Sequence, residues 1–155
     1  MRLRQLFPLL AILALPACLT DESPPDPDIP STVFSPLLNV DISASTLLPS
    51  GTYYRDLTPG TGEVVATGQT LNVRYVGWLV NGQQFDGTTP GGPTFQFELG
   101  AGQVIAGWDA GLPGMRVGGL RQLIIPPSQA YGNVPPSGIP QNAILVFNVN
   151  VVSTQ

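Results

Sequence analysis

The stretch AILVFNVNVV (Ala143–Val152) places Leu145, Phe147, Val149 and Val151 on one side of an extended chain and Asn148 and Asn150 on the other. A period of two belongs to a β-strand with one face against a core. The same pattern recurs upstream. In TLNVRYVGWLV (Thr70–Val80), Leu71, Val73 and Tyr75 alternate with Asn72, Arg74 and Val76, and the run ends at Asn81-Gly82, a hairpin-turn dipeptide. TFQFEL (Thr94–Leu99) puts Phe95, Phe97 and Leu99 on one face; RQLIIP (Arg121–Pro126) is a further strand stopped by Pro126-Pro127; YYRDL (Tyr53–Leu57) adds another. Only QVIAGWDAGLP (Gln103–Pro113) reads as helix, and Gly107, Gly111 and Gly114 suggest a brief one laid close against something, with Trp108 along its edge. The expectation is an α+β domain: a bent, mainly antiparallel sheet whose one apolar face is covered by a single short helix.

Composition removes most of the usual chemistries. All six basic residues are arginine and there is no histidine, so neither an imidazole-based triad nor a lysine Schiff base or P-loop can be built, and one cysteine without histidine supplies no zinc site. No cofactor or metal is expected. The net charge of -4 comes without any basic cluster, which argues against nucleic acid as a partner. GAGQVI (Gly100–Ile105) superficially resembles a dinucleotide-binding loop, but Ile105 replaces the third glycine and no βαβ unit follows; a glycine pair that turns the chain into the helix is sufficient.

The N-terminus reads as an export signal over residues 1–17. Arg2 and Arg4 precede an apolar run, Leu6–Leu15, too short to span a bilayer. LPAC (Leu15–Cys18) resembles the lipobox of bacterial lipoproteins, which implies lipidation at Cys18; cleavage near Ala17 that leaves a free Cys18 is the alternative. Removing residues 1–17 takes away two arginines and no acid, moving the net charge from -4 to -6. LTDESPPDPDIP (Leu19–Pro30) is acidic, proline-rich and reads as a tether, and residues 31–50 are an apolar lead-in without clear periodicity. The expected organisation is thus signal (1–17), lipid-anchored Cys18 with linker and lead-in (18–50), and a domain over 51–155. Lipidation implies an exported protein anchored to the cell envelope, on the periplasmic side of the outer membrane if the source is Gram-negative, touching membrane only through the lipid.

A set of ordered motifs across the domain is more specific. V-x-Y-x-G at Val73–Gly77, G-x-x-F-D ending at Asp86, F-x-F-x-L-G from Phe95, V-I-x-G-W ending at Trp108, G-L-x-x-M-x-V-G-G from Gly111, A-Y-G around Tyr131 and L-V-F ending at Phe147 together resemble the FKBP-type peptidyl-prolyl isomerase family from about Ser50 to Gln155. The resemblance implies an apolar pocket for a substrate proline ring with Trp108 as its floor. It assigns Tyr75, Phe85, Asp86, Trp108 and Tyr131 to catalysis and Phe95, Val104, Ile105, Ile139 and Phe147 to substrate binding. Proline-containing segments of exported proteins are the implied partners, the family's macrolide inhibitors are implied ligands, and a monomer is expected. Two departures stand out. The loop GTTPGGP (Gly87–Pro93) has no base to pair with Asp86, and the loop Asn133–Ala143 is about one residue short of the commoner length.

Without that resemblance, Tyr75, Phe95, Phe97, Phe147 and Trp108 read as core, Asp86 as a turn residue before Gly87, and Asp109 as a solvated helix residue. Two other functions stay open on sequence alone. One is a chaperone that holds proline segments without turnover; the other is a structural envelope lipoprotein whose aromatics are only core.

Overall fold

The computed structural model describes residues 24–155. The signal segment, Cys18 and the start of the tether lie outside the described residues. Seven strands form one antiparallel sheet: β1 (Thr46–Leu47), β2 (Tyr53–Thr58), β3 (Thr70–Leu79), β4 (Gln84–Gly87), β5 (Phe95–Glu98), β6 (Leu120–Ile125) and β7 (Leu145–Thr154). The order is β1-β2-β6-β7-β3-β4, and β5 pairs with the opposite end of β3 from β4. Register shifts fall at Asp56/Thr58, Asn72/Val73 and Gly77/Trp78. Such bulges bend and twist strands, which lets the sheet curve about its helix.

The alternation read from the sequence sets the inner face. Leu71, Val73, Phe97, Leu99, Leu123, Ile125, Leu145, Phe147, Val149 and Val151 form one core with Trp108, Leu112 and Met115. The one α-helix among the described residues, α1 (Ala106–Gly111), has only six residues, too few to be stable alone. Two packing features hold it. A Cβ on Gly107 would fall on the Ile125 side chain, and one on Gly111 would lie 2.7 Å from Leu123 Cδ2, so these glycines let the helix backbone sit directly on β6. Arg121, 4% exposed, donates from Nη1 to the carbonyls of Gly111 (2.8 Å) and Pro113 (3.2 Å) at the helix C-terminus. Its Nε and Nη2 grip both oxygens of Asp56 at 2.7 and 2.9 Å.

The outer face differs from the single apolar face expected. Ile124, Ile144 and Val146 form a second core with Ile29 of the tether and Leu38 of the lead-in, flanked by Phe34, Val40, Ile42, Tyr53, Trp78 and Val80. β6 is therefore buried on both faces, as its unbroken LII run allows. Gln122, 1% exposed, donates from Nε2 to Leu38 O at 2.8 Å and so ties the lead-in to the sheet. The stretch expected to act as a tether is docked at its described end. Asp26 accepts from Ser128 N at 2.9 Å and from the Ser128 hydroxyl, and Ile29 is 4% exposed. Both cores lie within residues 29–151. Among the described residues no helix is long and apolar enough to cross a membrane, and no group of three or more His, Cys, Asp or Glu could hold a metal ion.

Candidate active site

A cavity of about 140 Å³ opens between α1 and the inner face of the sheet. Seven parts of the fold meet there. Tyr75 comes from β3, Asp86 from β4, Phe95 from β5, Gln103, Val104 and Ile105 from the turn into α1, Trp108 from the helix, Tyr131 from the segment after β6, and Phe147 from β7. Trp108 is 3% exposed and sits at the centre of an aromatic cluster. Its ring lies edge-on to Tyr75 at 5.0 Å and Phe147 at 5.4 Å between centroids, with Phe97 at 5.6 Å and Phe95 at 6.4 Å. Edge-to-face contacts of this kind fix ring orientation as well as bury area. The indole Nε1 has no hydrogen-bond partner among the described residues.

Local turn chemistry places the helix. Gly100 and Gly102 have φ of 84° and 69°, values that favour glycine, and carry the chain from β5 toward α1. The Asp109 carboxylate accepts from the N–H of Gly100 at 2.8 Å and of Gly102 at 3.1 Å. This corrects the reading of Asp109 as a merely solvated residue: it staples the turn to the helix that carries Trp108. Gln103 does similar work, its Oε1 accepting from Glu98 N at 2.9 Å. Gln103 also lines the cavity, which motif reading did not single out.

The polar rim is built on Asp86. Tyr75 donates its phenolic O–H to Asp86 Oδ2 at 2.8 Å, and Gly87 N donates to Oδ1 at 2.8 Å. The basic loop residue missing from the sequence is thus matched by a phenol: among the described residues the ion pairs involve Arg55 and Arg121, not Asp86. Burial pushes the Tyr75 phenol well above its ordinary value, and the hydrogen bond and charge of Asp86 push it further; burial and then the Asp86 charge also raise Tyr131. Both phenols stay protonated donors far beyond neutral pH.

Of the ten candidate site residues within the described part, eight border this cavity; Phe85 and Ile139 do not. Phe85 meets Phe147 edge to face, with ring centroids at 5.5 Å and planes at 86°. The two rings meet over Gly77, where a Cβ would come within 2.6 Å of Phe147 and 2.9 Å of Phe85. Ile139 packs against the main core from a loop closed by Asn142 N donating to Gly132 O at 2.8 Å.

A family model described as FKBP-type peptidyl-prolyl cis-trans isomerase matches residues 62–152. A relative named FK506-binding protein 4, from Mycosarcoma maydis, is 50% identical over 108 residues, 70% of this chain and 28% of its own length. The chain spans under a third of the length of the curated relatives it matches. Among solved structures, FkpA from Escherichia coli is similar with a TM-score of 0.66 at 35% identity, covering 72% of this chain and 52% of that one. A peptidyl-prolyl cis-trans isomerase from Pseudomonas syringae pv. tomato is similar at 0.64 and 34%, covering 72% and 81%.

Proposed function

The chain belongs to the FKBP-type peptidyl-prolyl cis-trans isomerase family, and from that premise we propose that it catalyses rotation about X-Pro peptide bonds in the cavity floored by Trp108. The observation that carries the reading is the cavity itself: an aromatic enclosure with one carboxylate and two protonated phenols nearby. Rotation about an X-Pro bond makes and breaks no bond between heavy atoms. Its barrier of about 18–20 kcal/mol is the loss of amide resonance. A site lowers that barrier by binding the twisted amide more tightly than either planar isomer. Twisting reduces charge separation in the amide, so an apolar enclosure penalises the twisted form less than the planar ones. Trp108 and Phe147 offer the proline ring its surface, Tyr75 holds Asp86 at the rim, and Tyr131 offers an O–H to a substrate carbonyl.

Clients and ligands follow from the same cavity. Proline-containing segments of exported polypeptides are the proposed substrates, and an FK506-type macrolide, named in the titles of several relatives, would compete for the pocket. The proposed location is the bacterial cell envelope, through lipid on Cys18 after removal of residues 1–17, and the mass of the mature N-terminus tests it: a diacylglyceryl increment that disappears in Cys18→Ser. Activity is tested by following cis-to-trans conversion of a short X-Pro peptide with residues 24–155. Acceleration abolished by a macrolide is expected. A folded chain that binds proline peptides without accelerating them would replace the isomerase by a holding chaperone.

A further inference from the structure

The outer face of the sheet carries a second cavity that isomerisation does not use. The lead-in covers this face around Ile124 and Val146. Elsewhere the face opens into a groove of about 350 Å³, bordered by Arg74, Val76 and Trp78 of β3, Leu120 of β6, and Asn148 and Asn150 of β7, beside the 88–90 loop. Register brings these side chains together: Arg74 lies opposite Asn150, Val76 opposite Asn148, and Asn150 opposite Leu120.

Two amides of the groove are engaged within the protein. Asn150 Nδ2 donates to Gly119 O at 2.7 Å, and Asn148 Oδ1 accepts from Gln122 Nε2 at 3.2 Å. The Arg74 guanidinium is different: its Nη1 meets no acceptor among the described residues, and the ion pairs among those residues belong to Arg55 and Arg121, outside the groove. A guanidinium does not lose its proton, so a partly buried one is satisfied only by an acceptor, best a carboxylate held in its fork. Apolar walls with a single cation select a carboxylate carried on an apolar body.

We propose that this groove is a second client site, taking an acidic side chain flanked by apolar residues in an unfolded polypeptide, with Arg74 as its counter-ion. The choice of a polypeptide rests on the isomerase reading and on one structural fact: Tyr75 borders both cavities. Thr88 N donates to Tyr75 O at 2.9 Å, so the loop beside the groove continues directly from Asp86 at the rim of the first cavity. A chain whose proline occupies the first cavity can pass over β4, which ends the strand order, into the second. Joining two weak contacts in one client raises affinity without a new contact at either.

The two tryptophans, Trp78 and Trp108, lie one in each cavity, so their indole N–H signals in a proton–nitrogen correlation spectrum of residues 24–155 report the cavities separately. The probes are two proline-free peptides, acetyl-Ala-Leu-Glu-Leu-Ala-amide and its Gln counterpart. The Glu peptide is expected to move the Trp78 signal and leave that of Trp108, and to bind about tenfold tighter than the Gln peptide, as a charge-assisted hydrogen bond implies. Arg74→Gln erases that difference, and Arg74→Lys keeps part of it. Equal response to both peptides, or a response at Trp108 alone, overturns the site. A free amphiphilic acid such as phenylbutyrate binding as tightly as the Glu peptide overturns the polypeptide as its occupant. Because neither peptide contains proline, a chain that fails to isomerise X-Pro bonds still answers this experiment.

Discussion

Trp108 faces two environments, with Phe97 and Leu112 in its core and the cavity beside it. Replacing it by Ala combines a loss of stability of about 3–5 kcal/mol with loss of the floor. Trp108→Leu separates the two. It keeps an apolar filler and should leave a folded chain whose kcat/KM on an X-Pro peptide falls roughly ten- to hundredfold, the discrimination an altered apolar pocket supports. The phenols give a second prediction. With folded-state values raised above the ordinary 10.0, Tyr75 and Tyr131 retain protons that the unfolded chain releases. Their contribution to stability is complete below pH 10 and is lost as pH rises through the raised values. Ultraviolet titration should show phenol ionising later than free tyrosine, and Tyr75→Phe should remove the most alkaline step. At this scale the aromatics of the cavity were legible because the ordered motifs name them. Asp109 and Gln103 were not, because a side chain that staples a turn carries the same letters as a solvated one.

The helix depends on contacts outside itself. Its glycines at 107 and 111 form the face that meets β6, so Gly107→Ala must displace Ile125 or lift the helix. Overpacking of this kind costs roughly 1–3 kcal/mol, and because Trp108 is the next residue, activity should fall further than denaturant stability alone explains. The Arg121 clamp works from the other end. Asp56→Asn removes a carboxylate, itself 40% exposed, from a guanidinium that keeps its two backbone acceptors, and should cost about 1–2 kcal/mol, readable as a lowered urea midpoint. Close approach of the helix could be anticipated from its glycine spacing. Arg121 could not be assigned to its C-terminus, because that contact joins two elements whose pairing is decided only when the sheet assembles.

Over the whole molecule, the second core ties the lead-in to the domain. Leu38→Ala and Ile29→Ala, at sites 5% and 4% exposed, should each cost about 2–4 kcal/mol although both lie on the opposite side of the sheet from the cavity. Guanidinium unfolding of residues 24–155 checks this, and a loss below 1 kcal/mol would mean that the lead-in adds little to the fold. Its role could not be read from residues 31–50, which have no period because 3-10 turns at Ile29–Ser31 and Pro36–Leu38, not a strand or helix, deliver the apolar side chains. Strand order has a consequence of another kind. β7, the last of the described strands, lies at the middle of the sheet, with β6, β2 and β1 on one side and β3 and its partners β4 and β5 on the other. A ribosome making this protein releases two half-sheets with no strand between them until β7 emerges. Closure of the sheet therefore waits for β7, and until then the nascent chain remains open to every other machine that handles unfolded polypeptide.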